Sequence, residues 1–243
     1  MPTLILTPRY TADAQTLWRA AGRKGWDVQR LTAWRVPENI RTVDEPVLYL
    51  ESLFGPHLAE EFGLELREPP DDWLPRLPEE YRKRSVRLAT LDEARRLDDA
   101  AFVKPPNDKR FPALVYRGDG LPREFPDDMP VLIGEVVEWE AEFRCFVLDR
   151  RVVTHSVYSR AGELQRDAGF AATEEELAAA AEFAQTVLDD ARVELPRATV
   201  LDVGVIPGRG WAVVEQNAAW GAGIYGCDPE RVLDVLRHAA QRG

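Results

Sequence analysis

The sequence predicts a mixed α/β (α+β) fold. Three observations carry that reading. Strand-like and helix-like segments alternate through the first 70 residues, a meander of apolar runs begins at Pro130, and capping boxes mark helices between the strands.

Each element follows from its residues. Thr3-Leu4-Ile5-Leu6-Thr7 is a short buried strand. Ala12 to Ala21 has helical composition, with Leu17 and Trp18 on its apolar side and Gly22 and Gly25 closing it. Trp26 to Leu31 alternates like a half-buried strand, Pro46 to Leu50 reads as a fully buried one, and Phe54 to Phe62 as a short helix. Strand–helix–strand order argues for a small layer with parallel strands. No glycine-rich dinucleotide fingerprint follows the first strand, where Pro8-Arg9-Tyr10 stands, so this layer reads as a packing or substrate-side unit. Pro69 through Pro78 is turn-rich and polar, a boundary or crossover. Helical character returns at Glu79 to Arg84, and Thr90 with Glu93 forms a capping box. Ala101 to Lys104 is a strand ending at Pro105, and Pro112 to Arg117 is another before the turn Gly118-Asp119-Gly120. Val131–Val137, Ala141–Leu148 and Val152–Tyr158 make the meander, with a hairpin turn at Asp149-Arg150-Arg151. Thr173 with Glu176 caps a helix running to about Ala191, and Asp228-Pro229-Glu230 opens a last helix with proline at its first position.

Composition excludes several classes of function. No apolar run approaches the roughly 20 residues that span a bilayer, and the N-terminus lacks a signal-peptide pattern, so no membrane role and a cytoplasmic location are expected. Cys145 and Cys227 stand in unrelated contexts, which argues against a disulfide framework or a zinc site. A net charge of −11 disfavours general nucleic-acid binding but leaves room for a local cationic pocket. Of 31 basic residues only Lys24, Lys83, Lys104 and Lys109 are lysines. In so arginine-rich a chain, a lysine marks places where a compact point charge suits a single phosphate oxygen. Lys24 lies at a helix end and reads as solvated. His155 reads as a structural residue on a half-buried strand, and His57 and His238 as surface residues on helices without partners.

The chemistry concentrates near the C-terminus. Leu201-Asp202-Val203-Gly204 and Trp211 to Asn217 read as two strands joined by a short turn at Pro207 to Gly210. Glu215 and Asn217 are two apart, so they share a face, and Asp202 on the preceding strand can join them. Two carboxylates and an amide oxygen make a hard-cation site suited to Mg²⁺ held against phosphate.

Upstream features come in a fixed order: a strand ending in Lys104, the acidic hinge Gly134-Glu135-Val136-Val137-Glu138, and Glu142-Phe143-Arg144 on the next strand. With the Asp202, Glu215 and Asn217 triplet, this order resembles the ATP-grasp superfamily over roughly residues 84–243. Within it the chain looks closest to a compact bacterial and phage clade noted for one arginine and two lysines. The resemblance implies an ATP-grasp fold at 84–243, hinged near 134–140, behind a small pre-ATP-grasp-like α/β domain at 1–83. It implies that Lys104 reaches the α- and β-phosphates, that Glu135, Val137 and Glu138 bind adenine, and that Glu142 holds the ribose. Asp202, Glu215 and Asn217 match the family's Mg²⁺ ligands, including the thirteen-residue gap and the Glu-x-Asn pair. Arg144, Arg160 and Lys109 are the catalytic candidates at the transferring phosphate or substrate carboxylate. One departure stands out: where the family has a glycine-rich phosphate loop, this chain has Pro106-Asn107-Asp108-Lys109-Arg110-Phe111-Pro112.

The implied activity is an ATP- and Mg²⁺-dependent ligase joining a small-molecule or peptide carboxylate to an amine through an acylphosphate. The alternatives are a small-molecule kinase and a nucleotide-binding module without turnover. Trp220 to Gly226, rich in glycine, is expected to shape the acceptor pocket. A homodimer is an expectation that no residue pattern tests.

Overall fold

The computed structural model describes residues 1–242. A parallel sheet in the order β2-β1-β3 opens the chain, from β1 (Pro2–Leu6), β2 (Asp27–Arg30) and β3 (Glu45–Tyr49). Helix α1 (Ala12–Arg23) joins the first two strands, and the Thr11 hydroxyl caps it by accepting from the Ala14 amide at 3.1 Å. The single turn α2 (Glu38–Arg41) leads into β3, and α3 (Gly55–Glu61) and β4 (Leu64–Leu66) follow. The turn-rich stretch 69–78 is not wholly irregular. It holds a turn of helix, α4 (Trp73–Arg76), because Trp73 is buried and its indole N–H donates to the Glu194 carbonyl at 2.7 Å. α5 (Glu79–Arg82) then leads out of this connection.

A four-stranded antiparallel sheet forms the smaller lobe in the order β5-β8-β6-β7, from β5 (Val86–Thr90), β6 (Ala101–Lys104), β7 (Leu114–Tyr116) and β8 (Pro130–Gly134). Helix α6 (Leu91–Arg95) covers one face, burying Leu91 and Ala94 with Ala89, Val103, Val131 and Ile133. The alternation of a strand sends Phe102, Lys104 and Leu132 to the other face. Apolar residues predict β8 as far as Val137. The strand stops at Gly134, and residues 135–139 form an irregular link to the second lobe.

The larger lobe is a five-stranded antiparallel sheet, β11-β10-β9-β12-β13, from β9 (Ala141–Leu148), β10 (Arg151–Arg160), β11 (Glu163–Leu164), β12 (Ala198–Ile206) and β13 (Gly210–Asn217). Helix α7 (Glu174–Asp189) packs Ala180, Ala184, Val187 and Leu188 against Phe143, Cys145, Val147, Leu201, Val203 and Val213. The last elements, α8 (Pro229–Leu236) and β14 (Ala240–Arg242), return to the start of the chain. Val232, Leu233, Val235 and Leu236 share one core with Leu4 and Leu17, and β14 pairs with β4. The N-terminal layer therefore takes part of its core from the C-terminus.

The opposite face of the five-stranded sheet divides in two. Phe146 on β9 and Ala198 and Val200 on β12 continue the N-terminal core. Glu142, Arg144 and Asp202 lie on the same face one or two positions further along. The candidate site sits where the covered half of the sheet gives way to the open half.

Candidate active site

Charged and polar side chains converge on the open half. Asp202 is paired in register with Arg144 on one side and Glu215 on the other. Arg144 Nε donates to Asp202 Oδ1 at 2.9 Å and its Nη2 to Oδ2 at 2.6 Å, a bidentate pair in which Asp202 is 0% and Arg144 6% exposed. Asn217 Nδ2 donates to Asp202 Oδ2 at 3.0 Å and to Glu215 Oε1 at 2.9 Å, drawing the two carboxylates together. Lys104, from the smaller lobe, donates to Glu215 Oε2 and so bridges the lobes. Tyr158 donates to Glu142 Oε2 at 2.8 Å, and its ring stacks on Tyr225 with centroids 5.0 Å apart. The Arg144 guanidinium lies 4.7 Å from the Tyr225 ring centroid and donates to the Gly223 carbonyl at 3.0 Å.

Charges are tuned by this packing. Burial raises the Glu142 carboxyl, and the Tyr158 hydrogen bond only partly opposes it. Burial raises Asp202 against the pull of Arg144. Glu215 goes the other way: burial pushes it up, but the Lys104 charge and hydrogen bond prevail and hold it at about 2. Burial lowers the Arg84 guanidinium to about 10, with Glu215 and Glu142 opposing.

Two bulges set these directions. On β13, Asp202 pairs with Glu215 but Val203 pairs with Val213, so Val214 is an extra residue. Without it, Val213 and Glu215 would share a face. The bulge lets Val213 enter the α7 core while Glu215 and Asn217 face the site. On β10, Tyr158 is the extra residue between the Val157–Phe143 and Ser159–Glu142 pairs. It turns inward to Glu142.

Two cavities meet at this wall. One, of about 380 Å³, lies between the lobes and is lined by Phe102, Lys104, Leu132, Trp139, Glu142 and Val214 among others. The second, of about 810 Å³, lies between the N-terminal layer and the larger lobe, with Asp13, Trp34, Glu51, Lys109, Arg144 and Asn217 on its walls. Tyr158 and Glu215 line both. A family model for the ATP-grasp domain, the second family of the clade named for one arginine and two lysines, matches residues 81–235. The chain belongs to this ATP-grasp family.

Solved structures agree on the fold. A RimK domain ATP-grasp protein from Sphaerobacter thermophilus aligns over 98% of both chains with a TM-score of 0.52 at 13% identity. D-alanine–D-alanine ligase from Bacillus anthracis aligns over 98% of this chain and 96% of its own, with a TM-score of 0.54 at 12% identity. The ATP-grasp ligase PsnB, solved with a minimal precursor, aligns over 97% of both, with a TM-score of 0.53 at 14% identity. No curated protein matches.

The ATP-grasp frame brings together most of the residues singled out from sequence. Lys104, Glu135, Val137 and Glu142 line the interlobe cleft, and Glu215 borders it. The Glu135 carboxylate, however, is engaged by Arg209 at 2.5 Å and by the Ser85 amide at 3.2 Å. Glu138 is exposed and lines neither cavity. Arg160 is not brought to the site. Its register partner is Ala141, on the α7 side, and both its terminal nitrogens pair with Glu176 at 2.8 and 3.0 Å. Lys109 does reach the larger cavity. Its loop is tethered rather than glycine-rich, since Asn107 Nδ2 donates to the Pro69 carbonyl at 2.7 Å and to Asp71 at 2.8 Å. Two of the histidines have partners after all: His57 lies 3.6 Å from Glu61, and His238 Nδ1 lies 3.2 Å from Arg197. Sequence reasoning missed Arg84, Trp139, Tyr158 and Tyr225 as site residues. Tyr158 and Arg84 depend on bulges that leave no local signal, whereas a lone tryptophan in the acidic hinge was a usable clue to Trp139.

The donor set fits a hard cation. It offers two carboxylates and an amide oxygen from adjacent strands, with no sulfur or imidazole. Among the described residues no group of three or more His, Cys, Asp and Glu gathers as a metal cluster, so the amide of Asn217 is integral to the set. Asp202 is enclosed by Arg144, which leaves Glu215 and Asn217 as the ligands with room for an ion.

Proposed function

We propose that this protein is an ATP- and Mg²⁺-dependent ligase that joins a carboxylate to an amine through an acylphosphate. One observation carries the reading. Two separate cavities share a single charged wall, so a nucleotide on one side and a second substrate on the other meet at Glu215 and Tyr158. The interlobe cleft suits the nucleotide: Phe102, Leu132, Val136 and Val214 offer apolar surface to a base, and Glu142 offers a carboxylate to ribose hydroxyls. The exposed side chain of Val136 is one that a bound base would cover.

Glu215 and Asn217, backed by Asp202, would hold Mg²⁺, which when bound neutralises phosphate oxygens. Lys104 sits at the phosphate end of the cleft and exchanges Glu215 for phosphate as the nucleotide enters. Arg144, fixed by Asp202, and Lys109 supply positive charge on the side of the second substrate, where charge develops on the transferring phosphoryl oxygens. A carboxylate oxygen attacks the γ-phosphorus and ADP leaves. The amine nitrogen then attacks the acyl carbon, phosphate departs, and the amine gives up a proton as the amide forms. The width of the larger cavity, and the precursor with which PsnB was solved, support an extended substrate such as a peptide.

The test is product analysis by mass spectrometry after incubating the protein, ATP and Mg²⁺ with cell extract and a peptide pool. A condensation product formed together with ADP and free phosphate is expected. A phosphorylated product without phosphate release would replace the ligase with a kinase.

A further inference from the structure

Arg84 lies outside every group singled out from sequence, yet it touches the strand that carries Glu215. Its Nη1 donates to the Val213 carbonyl at 2.7 Å and its Nη2 to the Val214 carbonyl at 2.8 Å. In a regular strand successive carbonyls point to opposite sides, so one planar fork cannot take two in a row. The bulge at Val214 turns both to the outer side of β13, an edge strand with no further neighbour in the sheet. The guanidinium also lies 4.9 Å from the Trp139 ring centroid, and the following residue, Ser85, exchanges hydrogen bonds with Glu135. Arg84 thus ties the hinge to the backbone immediately before Glu215.

We infer that Arg84 is a positioning residue for Glu215: its fork holds the Val214 bulge and thereby directs Glu215 and Asn217 toward the ion. The inference rests on the proposed Mg²⁺ role of Glu215. Two carbonyls left without this fork would allow the bulge to migrate along β13, and a shift of one residue reverses the face of every side chain it passes. Lysine brings the same charge but no planar fork, so it cannot hold both carbonyls.

The experiment measures the affinity of the full chain for AMPPNP with Mg²⁺ and with EDTA, in wild type, Arg84→Lys, Arg84→Met and Glu215→Gln, each checked by thermal melting. In wild type, Mg²⁺ is expected to tighten AMPPNP binding. In both Arg84 variants the affinity in EDTA should stay near wild type, while the tightening by Mg²⁺ falls about 10- to 100-fold, as in Glu215→Gln. If Arg84→Met does not fold, Arg84→Lys decides alone, and failure of both to fold makes Arg84 a stability residue and overturns the inference. Wild-type behaviour of Arg84→Lys overturns it, because charge alone would then suffice. Equal loss with and without Mg²⁺ also overturns it and makes Arg84 part of the cleft wall. Absence of Mg²⁺-dependent tightening in wild type would instead refute the metal role of Glu215, and this inference with it.

Discussion

Both oxygens of Asp202 accept from Arg144 in a place without solvent exposure, and this sets what substitution there can reveal. Asp202→Asn leaves a buried guanidinium without its counter-charge, a defect that costs about 3–5 kcal/mol. A urea denaturation midpoint well below wild type is expected, and an unchanged midpoint would mean that Arg144 finds another partner. Glu215→Gln isolates the metal question better, because Glu215 keeps partial contact with solvent. Glu215 also makes stability depend on acid. Its folded carboxyl is held at about 2, against 4.5 as the ordinary value. Its contribution is therefore complete above 4.5 and disappears as pH falls from 4.5 toward 2. At about 1.4 kcal/mol per pK unit this amounts to at most about 3 kcal/mol. Urea titrations of wild type and Glu215→Gln should converge over that window, and a gap that stays constant would refute the assignment.

At the level of elements, β12 carries a constraint that its composition hides. A Cβ on Gly204 would stand 2.7 Å from the Ala141 carbonyl oxygen and 2.8 Å from the Trp139 ring. The glycine is there for close approach, since its backbone is an ordinary strand. Gly204→Ala should push Trp139 from its place between Arg84 and the sheet, narrowing the nucleotide cleft. A loss of about tenfold in nucleotide affinity, about 1.4 kcal/mol, is expected by titration calorimetry. Equal affinities in the two proteins would show that Trp139 does not shape the cleft.

For the whole molecule, the chain closes on itself. Helix α8 packs on α1 and adds two exposed ion pairs, Arg23–Glu230 at 2.7 Å and Lys24–Asp234 at 2.9 Å. Such pairs contribute at most about 1 kcal/mol each, so the buried apolar side chains of α8 dominate the contact. A fragment of residues 1–83 lacks that helix and exposes part of its core. It is expected to show no cooperative thermal transition, and a sharp melt by circular dichroism would prove the layer autonomous. Because the larger cavity lies between this layer and the sheet, the same contact fixes the shape of the second-substrate site. No helix among the described residues is long and apolar enough to cross a membrane.

The sequence by itself determined the mixed fold, the ends of α7 and α8, and the face shared by Glu215 and Asn217. All of these rest on local rules: capping boxes, period-2 alternation and short turns act over a few residues. It also contained the order of Lys104, the hinge, Glu142 and the triplet, which carried the family. What the tertiary structure decided is where those rules are broken. The short strands β4, β5 and β14 exist because distant partners pair with them, so their own residues gave little sign. The bulges at Val214 and Tyr158 reverse the alternation at single positions, and only the neighbouring strand shows where the register slips. That slip aims Glu215 at the site, calls for the fork of Arg84, and brings in Tyr158. Arg160, read as continuing toward the nucleotide, lies beyond the slip and pairs with Glu176 instead.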